Sequence, residues 1–256
     1  MRGLEGRVAA HLFLGVLTAA LTGCGGEPAK LEVPKRTATP IDAATVATIT
    51  GEVSLKGTPP SPKKMKMSGS ECTAHHKEPP MDESVIVKDG KLQNVFVHVK
   101  SGLEKHVFAV PETPKVIDQK GCIFAPHVIG VQVHQPLELR NSDSTLHNFH
   151  SLPRNSTGWN IGFPMSGVKE LRSVEKAEVM IEFKCDIHGW MKGFIGAVDH
   201  PFFAVTGPDG KYELKGLPPG DYEVEAWHET FGTSSQKVKL AAKQTHQLPF
   251  VFDSGK

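Results

Sequence analysis

Apolar and polar residues alternate with a period of two in short runs along this chain, and Gly, Pro, Asn and Asp punctuate the runs. Ile49–Leu55 reads as a first strand, closed by the turn Gly57-Thr58-Pro59-Pro60. A short apolar piece, 84–87, ends at the turn signal Asp89-Gly90. In 92–100, Val95, Val97 and Val99 face one way and Phe96, His98 and Lys100 the other, so His98 is expected to be half-exposed. Residues 122–140 form further strand segments, with His127 and His134 at strand edges. Val179, Ile181, Phe183 and Cys185 share a face opposite Met180, Glu182 and Lys184, and Phe194–Val198 forms a strand after them. Beyond residue 200, Tyr212 with Leu214, Tyr222 with Val224 and Ala226, Val238 with Leu240, and Phe250 with Phe252 mark four more strands. The chain is therefore expected to be all-β.

One loop changes the picture. Cys185-Asp186-Ile187-His188-Gly189-Trp190-Met191 places a thiol, an imidazole and a thioether within a few residues. Cys185 continues the apolar face of its strand and points into a core. There it is either inert packing or a metal ligand shielded from water. A trigonal His₂Cys set with a weak axial Met is the donor chemistry of electron-transfer copper. The loop carries three of those donors, and the best source of a second His is Leu146-His147-Asn148-Phe149-His150. In a strand, His147 and Phe149 share a face and His150 takes the other. Trp159, Phe163, Pro164 and Met165 lie in a long Gly- and Ser-containing stretch after it and either roof that site or only pin the loop.

This Cys-x₂-His-x₂-Met loop with an upstream His-Asn resembles the cupredoxins, and amicyanin in particular, over roughly residues 113–199. The resemblance implies a Greek-key β-sandwich holding one type 1 copper ion. His147, Cys185, His188 and Met191 would be its ligands, and Asn148 would brace the Cys-bearing loop. It also implies an electron port, at which His188 reaches an exposed apolar patch that Trp190 borders. A second resemblance lies in Thr206–Leu214 and Pro218-Pro219-Gly220-Asp221-Tyr222, which look like the carboxypeptidase regulatory-like, transthyretin-like β-sandwich. That family's opening strands are missing just upstream of Phe203, whereas 49–60 and 92–100 resemble them. The expectation is that the copper-type sandwich is inserted into the regulatory-like one. The expected divisions are 1–23, 24–47, 48–112, 113–199 and 200–256, the third being part of the regulatory-like sandwich.

The first 23 residues carry Arg2 and Arg7 and then an apolar run too short for a permanent bilayer span. Leu21-Thr22-Gly23-Cys24 resembles a bacterial lipobox, with cleavage before Cys24 and acylation of its thiol. Residues 24–47 read as a flexible tether reaching about 25–30 Å as a coil. An exported, membrane-anchored lipoprotein facing the periplasm or the outside is expected. In such a compartment Cys72 and Cys122 read as a disulfide. The alternative is a second metal site from Cys72, His75 or His76, Cys122 and His127, and the Met- and His-containing 65–81 run could likewise collect copper.

Formal charge is +1 over 256 residues, and without the first 23 the chain is formally neutral, so nothing points to nucleic acid. No nucleophile elbow or paired catalytic carboxylates stand out, and Trp227-His228-Glu229 reads as a strand end, so no enzymatic activity is expected. The leading reading is a membrane-tethered carrier of single electrons between exported redox proteins such as a cytochrome. The alternatives are a copper storage or delivery protein, and a carbohydrate- or protein-binding module in which copper is secondary.

Overall fold

The computed structural model describes residues 31–255. The expected leader, 1–23, and the expected lipidation site, Cys24, lie outside that range. Among the described residues no helix is long and apolar enough to cross a membrane. The chain is nearly all β, with one four-residue helix, Ser70–Thr73, among the described residues.

Ala47–Lys56 is the centre of the outer sandwich. It pairs antiparallel with Lys211–Leu217 on one side and parallel with Thr245–Gln247 and Phe250–Asp253 on the other. The hairpin Val87–Lys88 and Lys91–Leu92 joins its far end, turning at Asp89 and Gly90, both at positive φ as a tight hairpin turn requires. The facing sheet runs Phe203–Val205, Phe96–Ser101, Gly220–His228, Gly232–Leu240. Between the sheets lie Ile49, Val53, Val95, Val97, Val99, Leu214, Val224 and Phe250. These are the period-two apolar positions of the strands, buried as the alternation dictates. All hydrogen-bonded partners of Ala47–Lys56 and Phe96–Ser101 belong to this outer sandwich, with the chain from 115 to 198 leaving it and returning.

That intervening chain builds a second sandwich. Its five-stranded sheet runs Asn160–Phe163, His147–Leu152, Glu178–Lys184, Lys192–Val198, Val128–Gln132, and its four-stranded sheet runs Lys169–Arg172, Leu137–Asn141, Lys115–Gln119, Phe124–Ala125. Phe149, Phe183 and Phe124 pack ring to ring at its centre, with centroids 4.8–5.5 Å apart. Phe149 and Phe183 close the core directly beneath His147 and Cys185, their near neighbours along the strands.

The two sandwiches meet through Phe96, Val128 and Val198, with Phe194, Phe203 and Trp227 around them. Gly130 and Gly196 leave the space that the Phe96 ring fills: a Cβ on either would stand 2.8 or 2.5 Å from it. His98, on the same face as Phe96, is therefore buried at 5 % exposure rather than half-exposed, because the inserted sandwich and Glu225 cover it. His127 is also buried rather than at an open edge. Its ring bonds Glu229, and Lys192 Nζ reaches the same carboxylate at 2.5 Å.

Three other details differ from the sequence pattern. Val179 leaves the face of Ile181 and Phe183 because the pairing register shifts between Glu178 and Ile181. The Gly- and Ser-containing stretch after Leu152 is not all loop: Asn160–Phe163 pairs with His147–His150. Part of the expected tether is docked. Thr39 and Val107 exchange two hydrogen bonds at 2.8 and 2.9 Å, and Ile41 packs on the outer core.

Candidate metal centre

The centre lies at one end of the inserted sandwich, where three segments converge. Glu178–Lys184 delivers Cys185 as its last inward residue, 1 % exposed. The next six residues fold back tightly: Met191 N–H donates to His188 C=O at 2.8 Å, and Cys185 N–H to Met191 C=O at 3.0 Å. This pins both ends of the loop before Lys192–Val198 begins. His147 opens the neighbouring strand, with no exposed surface.

One ring nitrogen of each His and the sulfur of Cys185 all lie within 4.8 Å of one another. His147 Nδ1 and His188 Nδ1 are 2.9 Å apart, and Cys185 Sγ is 3.8 Å from His188 Nδ1. Two imidazole nitrogens and a sulfur directed at one point are held together by a shared ring proton or by a metal cation, and the donor set fits a soft or borderline metal ion. Met191 is 1 % exposed and lies in the same apolar cluster as Cys185.

The surroundings prepare each donor. Burial alone would raise the Cys185 thiol, but His147 and the backbone N–H groups of Asn148, His188 and Ile187 more than offset it, so its pKa is lowered toward the metal-binding thiolate. Burial likewise pulls His147 down, yet Asp143 and Cys185 bring its pKa above the ordinary value. His188 is pushed down, by desolvation first and by facing His147 second.

Asn148 sits at the join. Its Oδ1 accepts the Asp186 N–H at 2.7 Å, and its Nδ2 donates to Asp186 Oδ2 at 2.9 Å and to Asn160 Oδ1 at 2.8 Å. The residue after Cys185 is thereby tied to the residue after His147. His150, on the outward face, reaches Asp186 from outside at 2.9 Å.

Asp143 was not marked by the sequence pattern. His147 Nε2 donates to its Oδ2 at 3.0 Å, while Gly121 and Cys122 N–H donate to its two oxygens at 2.7 and 2.8 Å. A carboxylate behind a ligating imidazole fixes the tautomer and raises the basicity of the other nitrogen. An Asp four residues ahead of a candidate His, in a polar turn, was the available signal. Asp143→Asn is expected to lower metal affinity roughly 10–100-fold while the thiolate-to-metal absorption persists. A competition titration giving an unchanged affinity would show that the ring is oriented by packing alone.

At the expected port, His188 is 5 % exposed, and Trp190 is half-buried, its indole N–H donating to Cys122 C=O at 2.9 Å. Cys72 and Cys122 are joined in a disulfide, and both sulfurs lie within 4.8 Å of a ring nitrogen of His188. The segment carrying Cys72 thus stands against the edge of the ring. The bridge also removes the zinc-type alternative from the oxidised chain, and His127 is occupied by Glu229 away from the centre. The exposed apolar residues near the ligands are Leu146 and Ile187, each immediately ahead of a histidine.

The described chain thus folds as two β-sandwiches, the second inserted into the first. Residues 197–253 match the family model for the carboxypeptidase regulatory-like domain. Among solved structures, the chain is similar to a purple cupredoxin from Nitrosopumilus maritimus, at 18 % identity over 32 % of this chain and 97 % of that one, with a TM-score of 0.28. It is similar to a Cu(I) form of an amicyanin mutant at 17 % identity over 40 % and 97 %, TM-score 0.30. A copper-containing nitrite reductase from Thermus scotoductus SA-01 matches at 17 % over 47 % of this chain and 27 % of that one, TM-score 0.33. No curated protein matches.

Proposed function

We propose that this protein is a type 1 copper protein that carries single electrons and performs no substrate chemistry of its own. The observation that carries the reading is the convergence of His147 Nδ1, His188 Nδ1 and Cys185 Sγ on one buried point. Copper bound there would supply a one-electron couple between its two common oxidation states. His147, Cys185 and His188 would hold it, with the Met191 thioether as the weak fourth donor.

The chain's own groups do the rest. The Asp143 carboxylate and the Asn148–Asp186 bonds keep the two ligand segments in one arrangement, so little reorganisation accompanies a change of charge. The Phe149–Phe183 stack excludes water from below. Leu146 and Ile187 offer the nearest apolar ground on which a redox partner could rest. By the lipobox resemblance, the protein is exported and held to a membrane through acylated Cys24, and its partner is an exported redox protein such as a cytochrome.

Adding Cu(II) to the purified chain is expected to give intense thiolate-to-copper absorption that saturates at one ion per chain and bleaches reversibly on one-electron reduction. A colourless protein under loading conditions overturns the reading. The enclosure of His188 favours one second reading, copper retention and delivery. Slow electron self-exchange together with rapid hand-off of the ion to an acceptor would select it.

A further inference from the structure

The Cys72–Cys122 bridge has no part in that reading, yet it lies against the ligands. Both sulfurs are fully buried and within 4.8 Å of a ring nitrogen of His188, and Cys122 is equally close to Asp143 and His147. The two cysteines are held very differently. Cys122 is fixed by bonds that do not involve its sulfur. Its N–H and that of Gly121 enter the Asp143 carboxylate, its C=O accepts the Trp190 indole, and both residues sit at positive φ, 53° and 66°. Cys72 instead belongs to the excursion from Gly57 to Met81, and it is the one buried residue of that run. Apart from the bridge, the excursion reaches the inserted sandwich through His76 Nε2, which donates to Gly121 C=O at 2.7 Å, the weaker approach of His75 to Asp143 at 3.8 Å, and two half-buried methionines, Met67 and, beside Phe124 and Trp190, Met65. A segment with so few buried contacts opens at low cost, so the sulfurs can be reached although they are covered.

We propose that Cys72, Cys122 and His188 form a second metal site, gated by the state of the disulfide. In the dithiol form it takes one thiophilic cation, Cu(I) or Zn(II), beside the first centre and shares His188 with it. Two thiolates and an imidazole are a donor set for soft and borderline d¹⁰ ions. An imidazole has two nitrogens to offer, and His188 Nδ1 already faces His147 and Cys185. The opening step is thiol–disulfide exchange with a vicinal dithiol. The reductant becomes a cyclic disulfide, and Cys72 and Cys122 each gain one electron and one proton. Metal binding then displaces both thiol protons to solvent and, where the first centre is also filled, the remaining His188 ring N–H proton, so that the shared ring bridges the two ions as an imidazolate. Cys122 acts as the fixed jaw and Cys72 as the moving one, so the ion replaces the covalent bridge as the anchor of the 57–81 excursion.

The first centre and this one share His188 but not their sulfurs, so cadmium stoichiometry separates them. The full chain is titrated with Cd(II) alone, oxidised or after phosphine reduction and anaerobic desalting, and the ultraviolet thiolate-to-cadmium absorption is followed. One ion per chain is expected in the oxidised form and two in the reduced form. Cys185→Ala is expected to take none when oxidised and one when reduced, with cadmium then protecting Cys72 and Cys122 from alkylation. The double variant Cys72→Ser/Cys122→Ser is expected to take one ion whatever the reductant. The proposal is overturned if the reduced chain takes no more cadmium than the oxidised chain, or if the double variant still gains an ion on reduction. An oxidised chain that binds no cadmium, with a reduced Cys185→Ala that binds one, would defeat the copper reading and leave this one standing.

Discussion

On the proposed copper reading, Cys185→Ala is expected to abolish the intense visible absorption of the copper-loaded protein and to weaken copper binding beyond the roughly 100-fold that loss of an outer hydrogen bond costs. The absorption requires a thiolate bonded to the metal, and Cys185 is the one free cysteine among the described residues. His147 and three backbone N–H groups favour its ionised form against the cost of burial. The substitution removes a single buried atom at the end of a strand whose hydrogen bonds are backbone to backbone, so far-ultraviolet circular dichroism stays unchanged. Survival of the colour in this variant would mean that another group binds the copper.

The second large effect concerns stability. Phe96→Ala is expected to cost about 3–5 kcal/mol in denaturant unfolding, the range for a fully buried aromatic. Phe96 is fully buried and projects from the outer sandwich onto Gly130 and Gly196 of the inserted one. Truncation leaves a cavity that neither sheet can close, because both backbones are fixed by their ladders. The reciprocal change Gly196→Val overfills the same seat and is expected to cost about 1–3 kcal/mol. Losses under about 1 kcal/mol in both variants would mean that the sandwiches are not clamped through this ring.

Much of this arrangement was readable from the residues. Alternation from Ile181 to Cys185 put the sulfur inside, and the same logic separated His147 from His150. The strands after residue 200 followed their turns, and the outer strands 47–56 and 96–101 found partners there rather than among the nearer segments. What escaped was non-local. Asp143 matters because a turn carrying Gly121 and Cys122 folds against it, and strand periodicity carries no trace of that. His188 is enclosed by a run more than a hundred positions upstream in the chain, so its own neighbours, Ile187 and Gly189, said nothing of it. His98 reads as a strand's outer residue until a second sandwich is laid over that face. Asn160–Phe163 hid inside a Gly- and Ser-containing stretch, and the irregularity after Glu178 moved Val179 to a different neighbour set. In each case tertiary context overrode a local rule that was otherwise sound.

The insertion also dictates an order of assembly. Residues 115–198 find nearly all their partners among themselves and can condense as soon as they emerge. Ala47–Lys56 must wait for Lys211–Leu217 and Phe250–Asp253, which are made after the inserted sandwich. Until they arrive, a central strand has both edges bare, the condition that invites pairing with the wrong chain. Closing that long loop is the slow, entropically costly event, so Ala47–Lys56 stays open to mispairing after the inserted sandwich has condensed.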